Sequence, residues 1–213
     1  MPKTLGKRKK DLVIVGPYQP IIPVINDNNR VRLTTILSEI LMPGELDGGI
    51  KVTGNIDDLP EIIKEWNVFV IITLMIDADK VLRKKFWRKI DSIERGLGDE
   101  FSEKLETLIH SNNVIDSSII GNGSVIFPFN TIIKSSLDTG CIVKPSCYIK
   151  EGTSIGKYCV IESGVHIGRN VNIGSCAFIG ANSTIADDVK ISSFTDIIPN
   201  TFVSKNIKNE REL

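Results

Sequence analysis

Two histidines, four cysteines and a scatter of lysines and arginines at turn positions are the side chains of this 213-residue chain best placed to move protons, bind metals or hold anions. A zinc-hydroxide site of the carbonic-anhydrase type needs three histidines, and His110 and His166 are all there are. Cys141, Cys147, Cys159 and Cys176 show no CxxC pairing, which suits neither a zinc site nor a disulfide scaffold, so no metal is expected. Near the N-terminus, Asp11-Leu-Val-Ile-Val-Gly16 is an apolar run closed by glycine, the look of a buried parallel strand and the turn after it. Such a turn at the start of an α/β unit is where nucleotides bind. Here Pro17, Tyr18, Gln19, Pro20 and Pro23 follow, with no GxGxxG segment to cradle a phosphate. Pro20 and Pro23 disfavour an immediate helix, so Ile21 to Ile25 reads as a second strand. Asp27 then stands at its end, either as a ribose or base contact or as a turn and cap residue. The Lys7-Arg8-Lys9-Lys10 run reads as a solvated arm, with a phosphate or membrane contact as the alternative.

The elements that would position these groups divide the chain in two. A hydrophobic content of 41% supports one large or two modest domains. Lys+Arg and Asp+Glu both total 26, so no global charge favours nucleic acid. Apolar stretches such as Val68 to Ile72 fall far short of the roughly 20 residues that span a bilayer. The basic start, MPKTLGKRKK, has no hydrophobic leader behind it, and a cytoplasmic protein is expected. Residues 1–110 read as a small α/β domain. The spacing predicts a helix over Val31 to Leu41, capped from the Asn26-Asp27-Asn28-Asn29 cluster, and a strand at Ile50 to Gly54. A brief helix opens at Asp57-Asp58-Leu59-Pro60, and a strand follows at Val68 to Leu74. A helix from Asp77 carries Leu82, Phe86, Ile90 and Ile93 on one stripe and stops at Gly96 and Gly98. Phe101 to Ile109 is a short amphipathic link.

The second half is governed by a period of six. Ile119, Val125, Thr131, Leu137, Val143, Ile149, Ile155, Ile161, Ile167, Ile173, Ile179, Ile185, Ile191, Ile197 and Val203 stand at every sixth position, and Thr131 alone is not aliphatic. Gly156, Gly168, Gly174 and Gly180 directly follow members of this series. Six matches neither 3.6 nor 7, which excludes an amphipathic helix. Each hexapeptide supplies one short strand and one corner, with the aliphatic residue inward and a small residue in the turn. Three units close a triangular coil, so residues 111–208 make about five coils of a parallel β-helix, and 209–213 form a polar tail. Cys141, Cys147 and Cys159 occupy the small corner slot as buried spacers, while Cys176 lies off that column. Ile120, Ile126, Ile132 and Ile198 would form an apolar outer face.

This order, an α/β half with Gly54-Asn-Ile-Asp-Asp-Leu-Pro60, a strand, a basic helix and then Leu108-Ile109-His110 leading into hexapeptides, resembles the bacterial sialic-acid O-acetyltransferase and bacillosamine N-acetyltransferase family. The resemblance implies a left-handed coil and a homotrimer with sites between subunits. It also implies acetyl-CoA as donor and a nucleotide-linked amino sugar as acceptor, in surface-polysaccharide synthesis. The family's chemistry rests on an Asn, a His seven residues later and an adjacent acidic residue at a coil corner. Lys144, Glu151 and Gly152 stand at those places here. Gly16-Pro-Tyr-Gln-Pro20 replaces the family's glycine-rich turn, and its closing Gly-x-Pro-Ala-Lys motif is missing.

What the resemblance implies for the site is therefore as follows. Glu151 takes the position of the family histidine and serves as a base if desolvation raises its pKa, or it is a solvated corner carboxylate. Lys144, Lys150, Gly16 and Asp27 are the candidate acceptor contacts and Arg169, Gly180 and Ala181 the candidate acetyl-CoA contacts, with Lys144, Lys150 and Arg169 otherwise solvated corner residues. His166, just before inward Ile167, faces outward and either reaches a neighbouring subunit's cleft or is an ordinary surface histidine; His110 is structural. Two functions stay open: an acetyltransferase with a replaced base or substrate-assisted proton removal, and a catalytically silent trimeric homologue that binds as a scaffold.

Overall fold

A computed structural model describes residues 9–16, 19–39, 41–47, 49–65, 67–73 and 80–208. Lys7, Arg8, Pro17, Tyr18, Leu74, Asp77 and the tail 209–213 lie outside them. The first half holds β1 (Lys10–Val15), α1 (Ile22–Asp27), β2 (Val31–Leu37), β3 (Leu46–Asp47), β4 (Ile50–Gly54), α2 (Leu59–Glu65), β5 (Phe69–Ile72), α3 (Lys80–Leu97) and α4 (Asp99–Lys104). The strands align in the order β3-β4-β2-β1-β5, parallel except for the β3–β4 pair. β1 sits between β2 and β5, and Leu12 to Val15 are fully buried, as an uninterrupted apolar strand requires.

Three local readings change. Val31 to Leu37 is a strand and not a helix: Val31, Thr34, Thr35 and Ile36 are β-branched, and pairing with both β1 and β4 overrides the helical spacing. Ile21 to Ile25 is not a strand. A 3-10 turn, Gln19–Ile21, leads into α1, and its prolines lie in the entry turn and first helical turn, where a missing N–H leaves no hydrogen bond broken. Gly96 lies within α3, and Gly98, at φ +59°, closes it by donating its N–H to Glu94. The helix at Leu59 is entered as expected. Asn55 accepts from the Asp57 N–H and Asp58 accepts from the Asn55 N–H, each at 2.8 Å.

The second half is a stack of coils with three parallel sheets of six, six and five strands. The first face runs from Leu108–Ile109 to Asp196–Ile197, the second from Val114–Asp116 to Phe202–Val203, and the third from Ile119–Ile120 to Lys190–Ile191. The stack thus already includes Leu108 and Ile109. From Leu137 onward the inward column follows the period-six series, and these residues are at most 6% exposed. Before Leu137 the series is out by one. Leu137 pairs with Ile120, Val143 with Ile126 and Ile149 with Ile132. Ile126 and Ile132 are fully buried, while Ile119 is 72% exposed. The step from Ile132 to Leu137 is one residue short, and this shifts inward and outward positions together. The expected outer face at Ile120, Ile126 and Ile132 is therefore core, and Ile198 alone of that set is exposed.

Coils approach closely at the glycines after the column. A Cβ on Gly156 would lie 2.7 Å from the Ser175 amide nitrogen of the next coil. Corner thiols fill the remaining space: Sγ of Cys141, Cys147 and Cys159 donate to Gly156, Glu162 and Gly174 carbonyls at 3.0 to 3.1 Å. Burial raises the Cys147 thiol to about 11. Cys176, unassigned by the sequence, is buried beneath the α/β half and raised to about 12.

The α/β half covers the first face. Trp87 meets the Phe194 ring edge-on at 5.5 Å, Lys157 pairs with Glu94 at 2.6 Å, and buried Arg83 pairs with Asp196. Glu106 ties the halves at the edge of β5, donating its N–H to Val70 at 2.9 Å and accepting from Lys10 at 2.7 Å. Lys10 is thus a strand residue in an ion pair, not part of a solvated arm. At the other side of the junction, Asp27 accepts from the Ser111 N–H at 2.6 Å and its hydroxyl at 2.9 Å. These hydrogen bonds hold the Asp27 carboxyl below its usual range.

Ile161→Ala should cost about 2–5 kcal/mol in urea unfolding through the cavity left in the column. Gly156→Ala should cost about 1–3 kcal/mol, because the coils must separate. Asp27 has a lowered folded pKa, so its contribution is present above the ordinary value of 3.8 and fades as pH falls through the lower folded value. Asp27→Asn should therefore destabilise at pH 7, and the gap to the native protein should close in acid-unfolding curves below that point.

Candidate functional site

The coil registers sort the candidate residues onto two corners with the second face between them. The corner joining the first face to the second carries, coil by coil, His110, Phe127, Lys144, Glu162, Gly180 and Ile198, each one residue past its inward aliphatic. Lys144 Nζ lies 5.6 Å from the Phe127 ring centroid and 4.0 Å from Glu162. Gly180 is buried, and Ala181 uses its carbonyl to accept from Asn200 N–H at 2.8 Å. Asp27 reaches the base of this corner through Ser111, with His110 Nδ1 3.7 Å away. His110 Nδ1 accepts from the Asn112 N–H at 3.2 Å, which makes this imidazole part of the junction.

The corner joining the second face to the third carries Lys150, Glu151 and Arg169. Coil hydrogen bonds place Lys134, Glu151, Arg169 and Asp187 at equivalent positions, one above another. Their charges alternate. Arg169 Nε donates to Glu151, and its Nη1 lies 3.7 Å from Asp187. The Arg169 hydrogen bond holds the Glu151 carboxyl below its usual range, and the same bond raises Arg169. Glu151 is 43% exposed, so desolvation does not lift its basicity. The base expected at this position is an ionised rung of a charge ladder. Arg169, expected on CoA, is engaged by two carboxylates. The Lys150 carbonyl accepts from Ser135 Oγ at 2.7 Å.

Gly16 follows β1 with φ +117°, a conformation that favours glycine, and donates its N–H to Leu37 at 2.9 Å; the turn expected after it falls on residues 17 and 18, outside the described residues. Gly16 and Asp27 belong to the α/β half, and Lys144, Gly180 and Ala181 to one corner. Lys150, Glu151 and Arg169 belong to the other. Sequence reasoning passed over Asp187 and Tyr148. Asp187 was within reach, because Glu151, Arg169 and Asp187 are spaced by 18 residues, one full coil.

Between the corners, the second face presents Thr131, Tyr148, His166, Thr184 and Phe202 outward in one column. The Tyr148 and His166 rings are 6.3 Å apart, and His166 and Phe202 are exposed. A cleft of about 550 Å³ runs along the third face past Ser136, Ser154, Gly156, Asn172, Gly174 and Ser193. Among the described residues no group of three or more His, Cys, Asp or Glu is placed to hold a metal ion, and no helix is long and apolar enough to cross a membrane.

Residues 146–181 match the family described as bacterial transferase hexapeptide (six repeats). The protein carries a hexapeptide-repeat fold. In this fold the coils wind as a left-handed parallel β-helix with a small α/β unit before it. The acetyltransferase domain of PglB from Neisseria gonorrhoeae FA1090 is similar with a TM-score of 0.74, at 18% identity over 94% of each chain. PerB from Caulobacter crescentus, solved in complex with CoA and GDP-perosamine, is similar with a TM-score of 0.54, at 20% identity over 91% of each chain. No curated protein sequence matches the chain. The hexapeptide-repeat fold explains why Glu151 meets Arg169: stacked corners put residues one coil apart in direct contact.

Arg169→Gln should free Glu151, so that its carboxyl titrates closer to its ordinary value of 4.5. A carbon NMR titration of the Glu151 carboxyl checks this, and an upward shift is expected.

Proposed function

We propose that this protein is an acetyl-CoA-dependent acetyltransferase acting on the amino group of a nucleotide-linked sugar, in the cytoplasmic supply of surface polysaccharide. The observation that carries the reading is the pairing of an α/β unit with a hexapeptide coil stack, matched over 94% of both chains by the PglB acetyltransferase domain. The presence of CoA and GDP-perosamine in the PerB structure supports the same donor and a related class of acceptor. The geometry adds to it: the α/β half leaves the second and third faces open beside the corner where the family has its reactive residues. In this reading Lys144, Gly16 and Asp27 contact the acceptor, and the backbone of Gly180 and Ala181 contacts the donor.

The working unit in this reading is a homotrimer with sites between neighbouring subunits. Exposed apolar side chains on the uncovered surface, Phe129 (64%), Phe202 (68%) and Ile198 (72%), support burial against another copy.

A second reading is favoured by the Glu151–Arg169 pair. With the reactive corner turned into an ion-pair ladder, the chain serves as a trimeric scaffold that binds without turnover.

Acetyl-CoA consumption, read as free-thiol release with UDP-, dTDP- and GDP-linked amino sugars, separates the two. Turnover with at least one acceptor is expected. No release with any of them, from a folded trimer, selects the scaffold. Sedimentation equilibrium should give three times the chain mass, and a monomer would remove the intersubunit site.

A further inference from the structure

We infer that His166 is the proton acceptor for acetyl transfer, placed on the open second face one coil beyond the corner that Glu151 occupies. The inference rests on the acetyltransferase reading and names the group that reading leaves without a base. Of the two imidazoles, His110 is committed to the junction, with a side chain only 16% exposed and Nδ1 accepting from the Asn112 N–H. Glu151 is held ionised by Arg169 and is a weak base. His166 is exposed, and its strand, His166–Ile167, keeps it rigidly outward because Ile167 is packed into the column.

The surroundings of His166 suit a polar substrate. Tyr148 lies beside it in the adjoining coil, its ring 6.3 Å away and tilted by 49°, and Thr184 is its neighbour in the next coil. Tyr148 is among the groups that raise Arg169, after Glu151 and Asp187, so the charge ladder borders this face. The charged and titratable groups on the elements around His166 are Tyr148 on the strand below, Lys144 and Glu162 at the corner before the second face, and Lys150, Glu151, Arg169 and Asp187 at the corner after it. The strand above contributes the uncharged Thr184. Arg169 is raised and Glu151 lowered, so neither changes charge between pH 5 and 8, and imidazole is the side chain that ordinarily does.

The step balances without a co-reactant beyond acetyl-CoA. The neutral sugar amine attacks the thioester carbonyl carbon, and His166 takes a proton from nitrogen as the C–N bond forms. The tetrahedral intermediate collapses with cleavage of the C–S bond. The departing thiolate takes the proton from the imidazolium, which returns His166 to its neutral form and releases CoA thiol.

The test is thiol release by the full chain with its best amino-sugar acceptor, comparing the native protein with His166→Ala and His166→Asn. Both substitutions are at an exposed position, and circular dichroism and sedimentation verify that the coil stack persists. The expected result is a 10²- to 10⁴-fold fall in kcat, the range of general-base catalysis, with KM for acetyl-CoA little changed. The rise of kcat between pH 5 and 8 should vanish in both variants, and free imidazole should restore part of the His166→Ala rate. If the native protein turns over and both variants keep its kcat and pH profile, or if imidazole restores nothing, His166 is not the proton acceptor although the acetyltransferase reading stands. If the native protein releases no thiol with any acceptor, both the base and the reading beneath it fall.

Discussion

Everything in this molecule depends on coil-to-coil pairing, in which each short strand donates and accepts hydrogen bonds with the strand one full coil away. A two-residue strand has no stability of its own. Stacked in three sheets, such strands share one inward column, and the column turns a series of weak rungs into a continuous core. The same stacking sets the limits on side-chain size. Glycine is required where neighbouring corners meet, and cysteine, serine or threonine suits the tight slot, where each can hydrogen-bond a carbonyl of the next coil.

Because coils repeat, surface chemistry on this scaffold comes in columns. A residue's partners are the residues about 18 positions away, and its local sequence says little about them. The Glu151 corner shows the consequence. Alternating charges there settle into a ladder, and a carboxylate that would need an apolar pocket to act as a base is instead stabilised in its ionised form. The second face shows the opposite case, an outward column of Thr131, Tyr148, His166, Thr184 and Phe202 with, among the described residues, neither helix nor charge ladder over it.

The α/β half decides which of the three faces remains available. Its helix α3 covers the first face through Trp87, Arg83 and Glu94, and Asp27 and Glu106 fasten the two ends of the junction. The parallel sheet therefore does more than form a domain of its own. It fixes the first coil, buries Tyr158 and Cys176, and leaves the opposite corner facing outward.

The period of six was enough to determine the coil, the inward column beyond Leu137 and the burial of Cys141, Cys147 and Cys159, because a column position tolerates only aliphatics and a corner only small side chains. The apolar runs at β1 and β5 were legible for the same reason, being buried on both faces. The one-residue slip before Leu137 was not, since Ile119 and Ile120 are equally apolar and only pairing with the next coil says which turns inward. Val31 to Leu37 carried spacing that fits a helix, and two flanking strands made it a strand. Pro20 and Pro23 argued against a helix until the entry turn placed them where no N–H is needed. The family slot at Glu151 could be located from the sequence, but its charge state could not. That was decided by Arg169 one coil away, because the electrostatic partner of a residue on a stacked solenoid is chosen by the winding of the chain and not by its neighbours along it.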